Sequence, residues 1–381
     1  METRKFSRIK KDISLLGFGM MRLPLLASGN ARDIDYDTAC RMVDRALECG
    51  VNYFDTAYVY HERESENFAG HALSRHPRDS YNLATKMPIW FLENSGDLER
   101  IFAEQLKKCR VDHFDFYLLH NIGGESYDAA LKHDVYGFLR KKKDAGYIRN
   151  LGFSIHDAPD VLAKALTWGE WDFAQIQLNY IDWDAIESKR LYGILAEHDI
   201  PAVIMEPVRG GALANLPPAA ADILRDFNPS ASQASWAIRF AASLPGVLTV
   251  LSGMTRPEQL EDNLGTMSDF RPLSDEERAV LERAAAAFRA SGTIPCTGCR
   301  YCMDCPSGVD IPRVFAMYNQ YMTMKSVGYP MAEIVLRNTY RTFNDEKRPH
   351  HCVNCGACVQ HCPQGIDIPK FMSEITNLSA A

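Results

Sequence analysis

The sequence predicts an α/β protein: a (β/α)8 barrel followed by a small, mainly helical, cysteine-rich domain. Three observations carry this. Apolar strand-like runs alternate with amphipathic helix-like runs eight times over about the first 290 residues. The strand-like runs are mostly continuous in apolar character, as expected where both faces of a parallel sheet are buried. Eight of the eleven cysteines fall in the last quarter of the chain. The boundary is placed after residue 288, giving a barrel over 1–288 and a second domain over 289–381.

The strand candidates, in order, are LLGFGMM (15–21), VNYFDT (51–56), YNLATK (81–86), FDFYLLH (114–120), IRNLGFS (148–154), FAQIQLN (173–179), PAVIME (201–206) and VLTVLS (247–252). Between them lie helix-like segments such as DTACRMVDRALECG, DLERIFAEQLKKCR, YGFLRKKKDAGY, ESKRLYGILAEHD and SQASWAIRFAAS. The segment 121–134, NIGGESYDAALKHD, reads as a pocket-lining loop. Eight units at this length match a barrel of about 250 residues. A doubly wound open sheet is the alternative, weakened because GFGMMR does not continue as G-x-G-x-x-G.

Composition narrows the function. Apolar residues are 46% and charged residues 24% of the chain, which excludes a disordered chain. The net charge of −7 and the lack of a basic block exclude nucleic acid as the expected partner. No apolar run reaches the roughly 18 residues of a membrane span. The amino terminus, METRKFSRIKK followed by ISLLGFGMM, mimics a signal peptide, but the apolar run is short and Arg22 and Pro24 follow at once. A cytoplasmic location is expected, where cysteines stay thiolate-competent.

Cys40, Cys49 and Cys109 lie in helix-like stretches and read as buried small hydrophobes. The other eight form two runs: Cys296, Cys299, Cys302 and Cys305, then Cys352, Cys355, Cys358 and Cys362. The second run has the C-x-x-C-x-x-C-x-x-x-C-P spacing of bacterial ferredoxin clusters; the first is one residue shorter before its Cys-Pro. Thiolates this close would not pair as disulfides without strain. Zinc competes, because paired C-x-x-C motifs make four-cysteine sites, but it does not require the remote Cys-Pro. The spacing therefore favours two [4Fe–4S] clusters. Both runs continue alike, CPSGVDIP at 305–312 and CPQGIDIP at 362–369, an internal repeat that leads into a helix. VFAMYNQYMTMK and MAEIVLRNTYRTF between them read as helices. In two-cluster ferredoxins the fourth cysteine of each run ligates the other cluster. That resemblance implies one set of Cys296, Cys299, Cys302 and Cys362, and another of Cys352, Cys355, Cys358 and Cys305.

In a barrel of this kind the active site lies where strands run into the loops that follow them. The second strand ends in Asp55, with Tyr60 five residues on; the third ends in Lys86, the fourth in His120, the fifth in Ser154 and His156. The sixth carries Gln175, Gln177 and Asn179. This set suits carbonyl reduction. A tyrosine ordinarily titrates near 10, too high for efficient proton exchange at neutral pH, and a neighbouring cation lowers that value. Lys86 supplies the cation, Asp55 orients it, Tyr60 donates the proton, and His120 hydrogen-bonds the carbonyl oxygen.

On GFGMMRLP, FDTAYVY, ATK, DFYLLH, GFSIHD, QIQLNY and VLSGMTRPEQLEDN, residues 5–285 resemble the aldo-keto reductases. The resemblance implies a nicotinamide-dependent barrel enzyme with the tetrad Asp55, Tyr60, Lys86 and His120, and the subgroup with a carboxy-terminal ferredoxin-type domain. It further implies that Ser154 and Gln175 touch the nicotinamide carboxamide, that Gly19 and Met20 line the cofactor cleft, and that Val208, Arg209 and Gly210 lie at the pyrophosphate. Ser252, Gly253, Met254, Gln259, Asp262 and Asn263 form the adenosine side. Gly253 and Gln259 stand where the family often has a lysine and an arginine for the 2′-phosphate; Arg256 is a nearby substitute. NADP and NAD both stay open, as does the small carbonyl or alcohol substrate.

A nicotinamide moves two electrons and a [4Fe–4S] cluster one. Three readings follow: a reductase with structural or sensing clusters, an enzyme whose clusters pass electrons to a redox protein partner, or a nicotinamide-binding redox sensor without carbonyl turnover. The intact tetrad argues against the last.

Overall fold

The computed structural model describes residues 1–380. The chain forms two compact units, Met1–Pro207 with Ser235–Leu273, and Val208–Ala234 with the chain from Ser274 onward.

The first unit holds ten strands: β1 (Thr3–Phe6), β2 (Ile9–Ser14), β3 (Leu16–Gly19), β4 (Tyr53–Asp55), β5 (Asn82–Pro88), β6 (Phe114–Ile122), β7 (Ile148–Ile155), β8 (Phe173–Gln177), β9 (Ala202–Met205) and β10 (Val247–Gly253). Strands β3 to β10 close a barrel in sequence order, every neighbouring pair parallel and β10 returning to β3. Each of the eight strand candidates overlaps one of these barrel strands.

Two segments differ from expectation. The basic amino terminus is the antiparallel hairpin β1–β2. Lys5, Lys10, Lys11 and Asp12 are exposed and Arg4 donates to the Leu244 and Val247 carbonyls, while Ile9 and Ile13 pack with Tyr53, Ala84, Phe116, Leu118, Phe173 and Val203 in the barrel interior. The segment 121–134 contains a helix, Gly124–Lys132, where a loop was expected. It is anchored by the Tyr127 ring, 4.8 Å from that of Trp168, whose indole N–H donates to the Tyr127 hydroxyl.

Strand parity places the site. Side chains alternate faces along a strand, so residues two apart share one. Tyr53, Ala84, Phe116, Leu118 and Phe173 fill the interior. Two residues further along the same strands come Asp55, Lys86, His120 and Gln175, so an apolar layer is topped by a polar one. The register agrees: Asp55 lies opposite Gly19 and Ala84, Pro88 opposite His120, and Ser154 opposite Gln175.

The second unit is helical, with helices Pro218–Phe227, Asp275–Ala290, Ile311–Ser326, Ala332–Arg341 and Ile368–Ala380. Its core joins Ile294, Val309, Val314, Phe315, Leu336, Phe343, Ile366, Met372 and Ile375. The sequence repeat is a structural repeat. Gly308 and Gly365 both have positive φ, their N–H groups donate to Cys305 and Cys362 carbonyls at 2.9 and 3.0 Å, and a helix starts three residues after each. Among the described residues no helix is long and apolar enough to cross a membrane.

Candidate active site and cysteine centres

Lys86 is fully buried, and its Nζ donates to both Asp55 carboxylate oxygens at 2.7 and 2.8 Å and to the Thr56 carbonyl at 2.8 Å. Burial pushes the Asp55 carboxyl up and the Lys86 ammonium down, and their mutual attraction opposes both shifts. The ammonium lies 5.1 Å from the centroid of the Tyr60 ring, within cation–π reach. His120 meets Tyr60 edge-on at 6.1 Å and is flanked by the half-exposed Trp90 at 4.9 Å. Burial, with help from Lys86 and His156, holds the His120 imidazole well below its ordinary range, so it is neutral at pH 7. Its buried Nδ1 has no partner among the described residues. The four tetrad candidates therefore converge at one end of the barrel.

The turn after Tyr60 is held from outside. His61 has a left-handed backbone, its Nε2 accepts from Leu23 N–H at 3.1 Å, and its Nδ1 therefore donates to the Ala31 carbonyl at 2.7 Å.

Ser154 Oγ accepts from Asn121 N–H at 2.8 Å. Gln175, opposite it, contacts Met205 Sδ through its amide nitrogen and leaves its buried Oε1 without a partner among the described residues. A carboxamide N–H donor would satisfy that oxygen, so the pair fits a nicotinamide. Met20 N–H donates to Asp55 O, and Ser65 Oγ to Met20 O, tying the end of β3 to the tetrad strand. Gly19 comes so close to the Ser252 backbone that an added Cβ would sit 3.3 Å from its carbonyl oxygen. Asn263 Nδ2 donates to Ser252 Oγ at 2.9 Å. Gln259 Oε1 accepts from the N–H groups of Thr255 and Arg256, so this side chain caps the helix Pro257–Ser268. Met254 is buried, Gly253 and Asp262 half-buried, and Arg256 exposed. In the second unit, Val208, Arg209 and Gly210 open a tight turn in which Arg209, Gly210 and Gly211 all have positive φ.

Sequence reasoning missed two buried acids and one half-buried ion pair. Glu66 accepts from Thr85 Oγ1 and Gln105 Nε2, both at 2.7 Å, and Gln105 also donates to the Lys86 carbonyl. Burial pushes its carboxyl up. Asp182 accepts from Gln177 and Asn179 amides at 2.7 and 2.6 Å, which turns Gln177 Oε1 toward His156 Nδ1 at 3.1 Å. His156 thus carries its proton on Nδ1. Arg22 pairs with Glu206 at 3.6 Å. Glu66 and Asp182 lie in helices whose patterns give no hint of a buried acid.

Burial holds His156 at about 4 rather than 6.5. Between those values the unfolded chain binds a proton that the folded chain refuses, so stability falls as pH drops through that window, by about 3 kcal/mol at most. Urea midpoints should fall between pH 7 and pH 5 more steeply for the wild type than for His156→Gln. Equal slopes would remove His156 as the source.

The eight cysteines of the second unit line two depressions. One is lined by Cys296, Cys299, Cys302 and Cys362, the other by Cys305, Cys352, Cys355 and Cys358. The two loops share a backbone pattern: Gly298 and Asn354, two residues after each first cysteine, and Arg300 and Gly356, two residues later, are all left-handed. Gly298 N–H points at Cys296 Sγ at 3.4 Å. Burial, reinforced by neighbouring cysteines, pushes the Cys302 thiol up to about 12 and the Cys358 thiol to about 11. Among the described residues no three cysteine sulfurs lie within 4.8 Å of one another. Four thiols gathered around each depression are a donor set that fits an iron–sulfur cluster.

Residues 15–286 match the family "Aldo/keto reductase family", and residues 295–366 match "4Fe-4S dicluster domain". Among curated relatives, the Bacillus subtilis (strain 168) "Uncharacterized oxidoreductase YqkF" is 24% identical over 74% of this chain and 96% of its own. The Escherichia coli (strain K12) "NADH-specific methylglyoxal reductase" is 24% identical over 67% of this chain and 90% of its own. Among solved structures, the holo form of aldo-keto reductase AKR11C1 from Bacillus halodurans superposes with a TM-score of 0.62 at 26% identity, covering 74% of this chain and 96% of that one.

Proposed function

The chain belongs to the aldo/keto reductase family, and from that premise we propose that it is an NAD(P)H-dependent oxidoreductase interconverting an aldehyde or ketone with the alcohol. The observation that carries the reading is the buried Lys86–Asp55 pair next to Tyr60 and a neutral His120. Asp55 and the Thr56 carbonyl fix the ammonium; its charge stabilises phenolate as Tyr60 releases its proton to the carbonyl oxygen. His120, with one ring nitrogen unpartnered, is placed to hydrogen-bond that oxygen. The nicotinamide supplies hydride when bound. Ser154 and Gln175 would hold its carboxamide, Gly19 and Met20 the cleft, and Val208, Arg209 and Gly210 the pyrophosphate. Ser252, Gly253, Met254, Arg256, Asp262 and Asn263 would hold the adenosine side, with Gln259 acting through its cap.

The Escherichia coli relative is named for methylglyoxal and NADH, so small 2-oxoaldehydes and both coenzymes are the first to assay. Coenzyme oxidation is expected with an aldehyde; none across a broad aldehyde and ketone panel would sink the reading. If Arg256 grips a 2′-phosphate, Arg256→Ala weakens NADPH binding and leaves NADH binding unchanged.

The two cysteine quartets would each hold a [4Fe–4S] cluster, which exchanges single electrons. The dicluster match favours a second role, electron transfer to a redox protein partner. Anaerobic NADH or NADPH should then bleach the cluster absorbance; persistence of the colour during aldehyde turnover assigns the clusters a structural part. Cys299→Ser should lower iron from about eight to about four atoms per chain, and unchanged iron content would refute its place as a ligand.

A further inference from the structure

Outside the barrel site and the cysteine quartets, one group of side chains has the geometry of a metal site. Asp345, His350 and His351 each present a ligand atom within 4.8 Å of the others, the one such group of histidine, cysteine, aspartate or glutamate atoms among the described residues. Two successive 3-10 turns, Asp345–Lys347 and Pro349–His351, bring them together. His350 Nε2 lies 3.7 Å from Asp345 Oδ1, and His351 Nε2 lies 3.1 Å from Oδ2. Ligand atoms about 2.0–2.1 Å from a tetrahedral ion are roughly 3.3 Å apart, so the observed separations bracket the spacing required.

A second feature points the same way. Metal-bound histidines are usually oriented by a hydrogen bond from the other ring nitrogen. His350 Nδ1 lies 2.8 Å from the Tyr340 hydroxyl oxygen, which can accept its proton when Nε2 takes a metal. The rings of His350 and His351 are held 4.3 Å apart. Arg348 donates to Asp345 Oδ1 at 3.0 Å and lies over the Tyr340 ring at 5.2 Å. Its charge weakens cation binding, yet it holds the carboxylate in place between the two histidines. Both histidines and the aspartate are solvent-accessible, which leaves room for water to complete the coordination.

We infer that Asp345, His350 and His351 form an open two-histidine, one-carboxylate site for a borderline divalent transition-metal ion of the zinc(II) or iron(II) class. The site is distinct from both cysteine quartets, although its last ligand immediately precedes Cys352. It does not depend on the reductase reading.

The test uses the full chain, purified anaerobically with its clusters intact and washed with a mild chelator. Equilibrium dialysis against micromolar zinc(II), and separately iron(II), is followed by metal analysis, with cluster absorbance as the control. One additional zinc per chain is expected, with iron(II) binding more weakly than zinc(II), as the general affinity order requires. The doubly substituted His350→Gln/His351→Gln should lose it, and Tyr340→Phe should weaken it about ten-fold or more. Asp345→Asn, which lies away from the cysteines, provides the same readout if the histidine variant loses its clusters. No uptake by the wild type overturns the assignment. Undiminished uptake by the histidine variant, or by Asp345→Asn, does so too.

Discussion

Tyr60→Phe is expected to lower kcat for aldehyde reduction about 10²- to 10⁴-fold while leaving the Kd for coenzyme unchanged. The substitution removes the phenolic oxygen and keeps the ring. The ring is nearly buried and packs through its edge against His120 and through its face toward Lys86, contacts that phenylalanine keeps. Coenzyme fluorescence titration measures the Kd, and turnover retained within a few fold overturns the assignment of Tyr60 as proton donor. Lys86→Met gives a different result. It takes the ammonium from Tyr60 and also leaves Asp55, 3% exposed, without its cation. Stranding a buried carboxylate costs about 3–5 kcal/mol, so this variant loses urea stability as well as rate. His120 is held neutral by burial, so neither profile should carry a histidine inflection between about pH 6 and pH 9.

The barrel and its mouth were largely legible in the sequence, for a reason of parity. A buried parallel strand reads as an apolar run, and a charged residue closing such a run, as Lys86 closes YNLATK, has nowhere to go but the strand end. Cysteine spacing was legible because ligation of one core by one loop fixes the intervals. What escaped were features that need contacts across sequence. Ile9 and Ile13 are spaced by three charged residues, so their strand resembled a basic leader until they met the barrel interior. Glu66 follows Ser65 at the start of a helix, where an acid is ordinary; only the burial by Thr85 and Gln105 sets it apart. Asp345, His350 and His351 follow no ligand spacing, since two short turns bring them together.

The contact between Gly210 and Thr297 is another such feature, and it carries the second large expected effect. A Cβ on Gly210 would lie 2.0 Å from the Thr297 carbonyl oxygen and 2.6 Å from its carbon. Thr297 is 4% exposed and sits between Cys296 and Cys299, so the obstacle is the backbone of the cysteine loop itself and no side chain can swing away. Gly210→Ala must therefore displace that loop. About half the iron is expected to be lost, from the quartet of Cys296, Cys299, Cys302 and Cys362, with the other quartet retained. Gly211→Ala is the matched comparison. Its φ of +96 is also left-handed, but open space surrounds the added methyl, so it adds backbone strain of about 1–2 kcal/mol without the clash. Equal iron content in the two variants would refute the packing argument. Because the same turn is proposed for the coenzyme pyrophosphate, Gly210→Ala should also raise the Kd for coenzyme. Cys299→Ser, which leaves Gly210 untouched, then isolates the direction of coupling: a raised Kd there means that an ordered cysteine loop is what holds the phosphate turn in its left-handed shape.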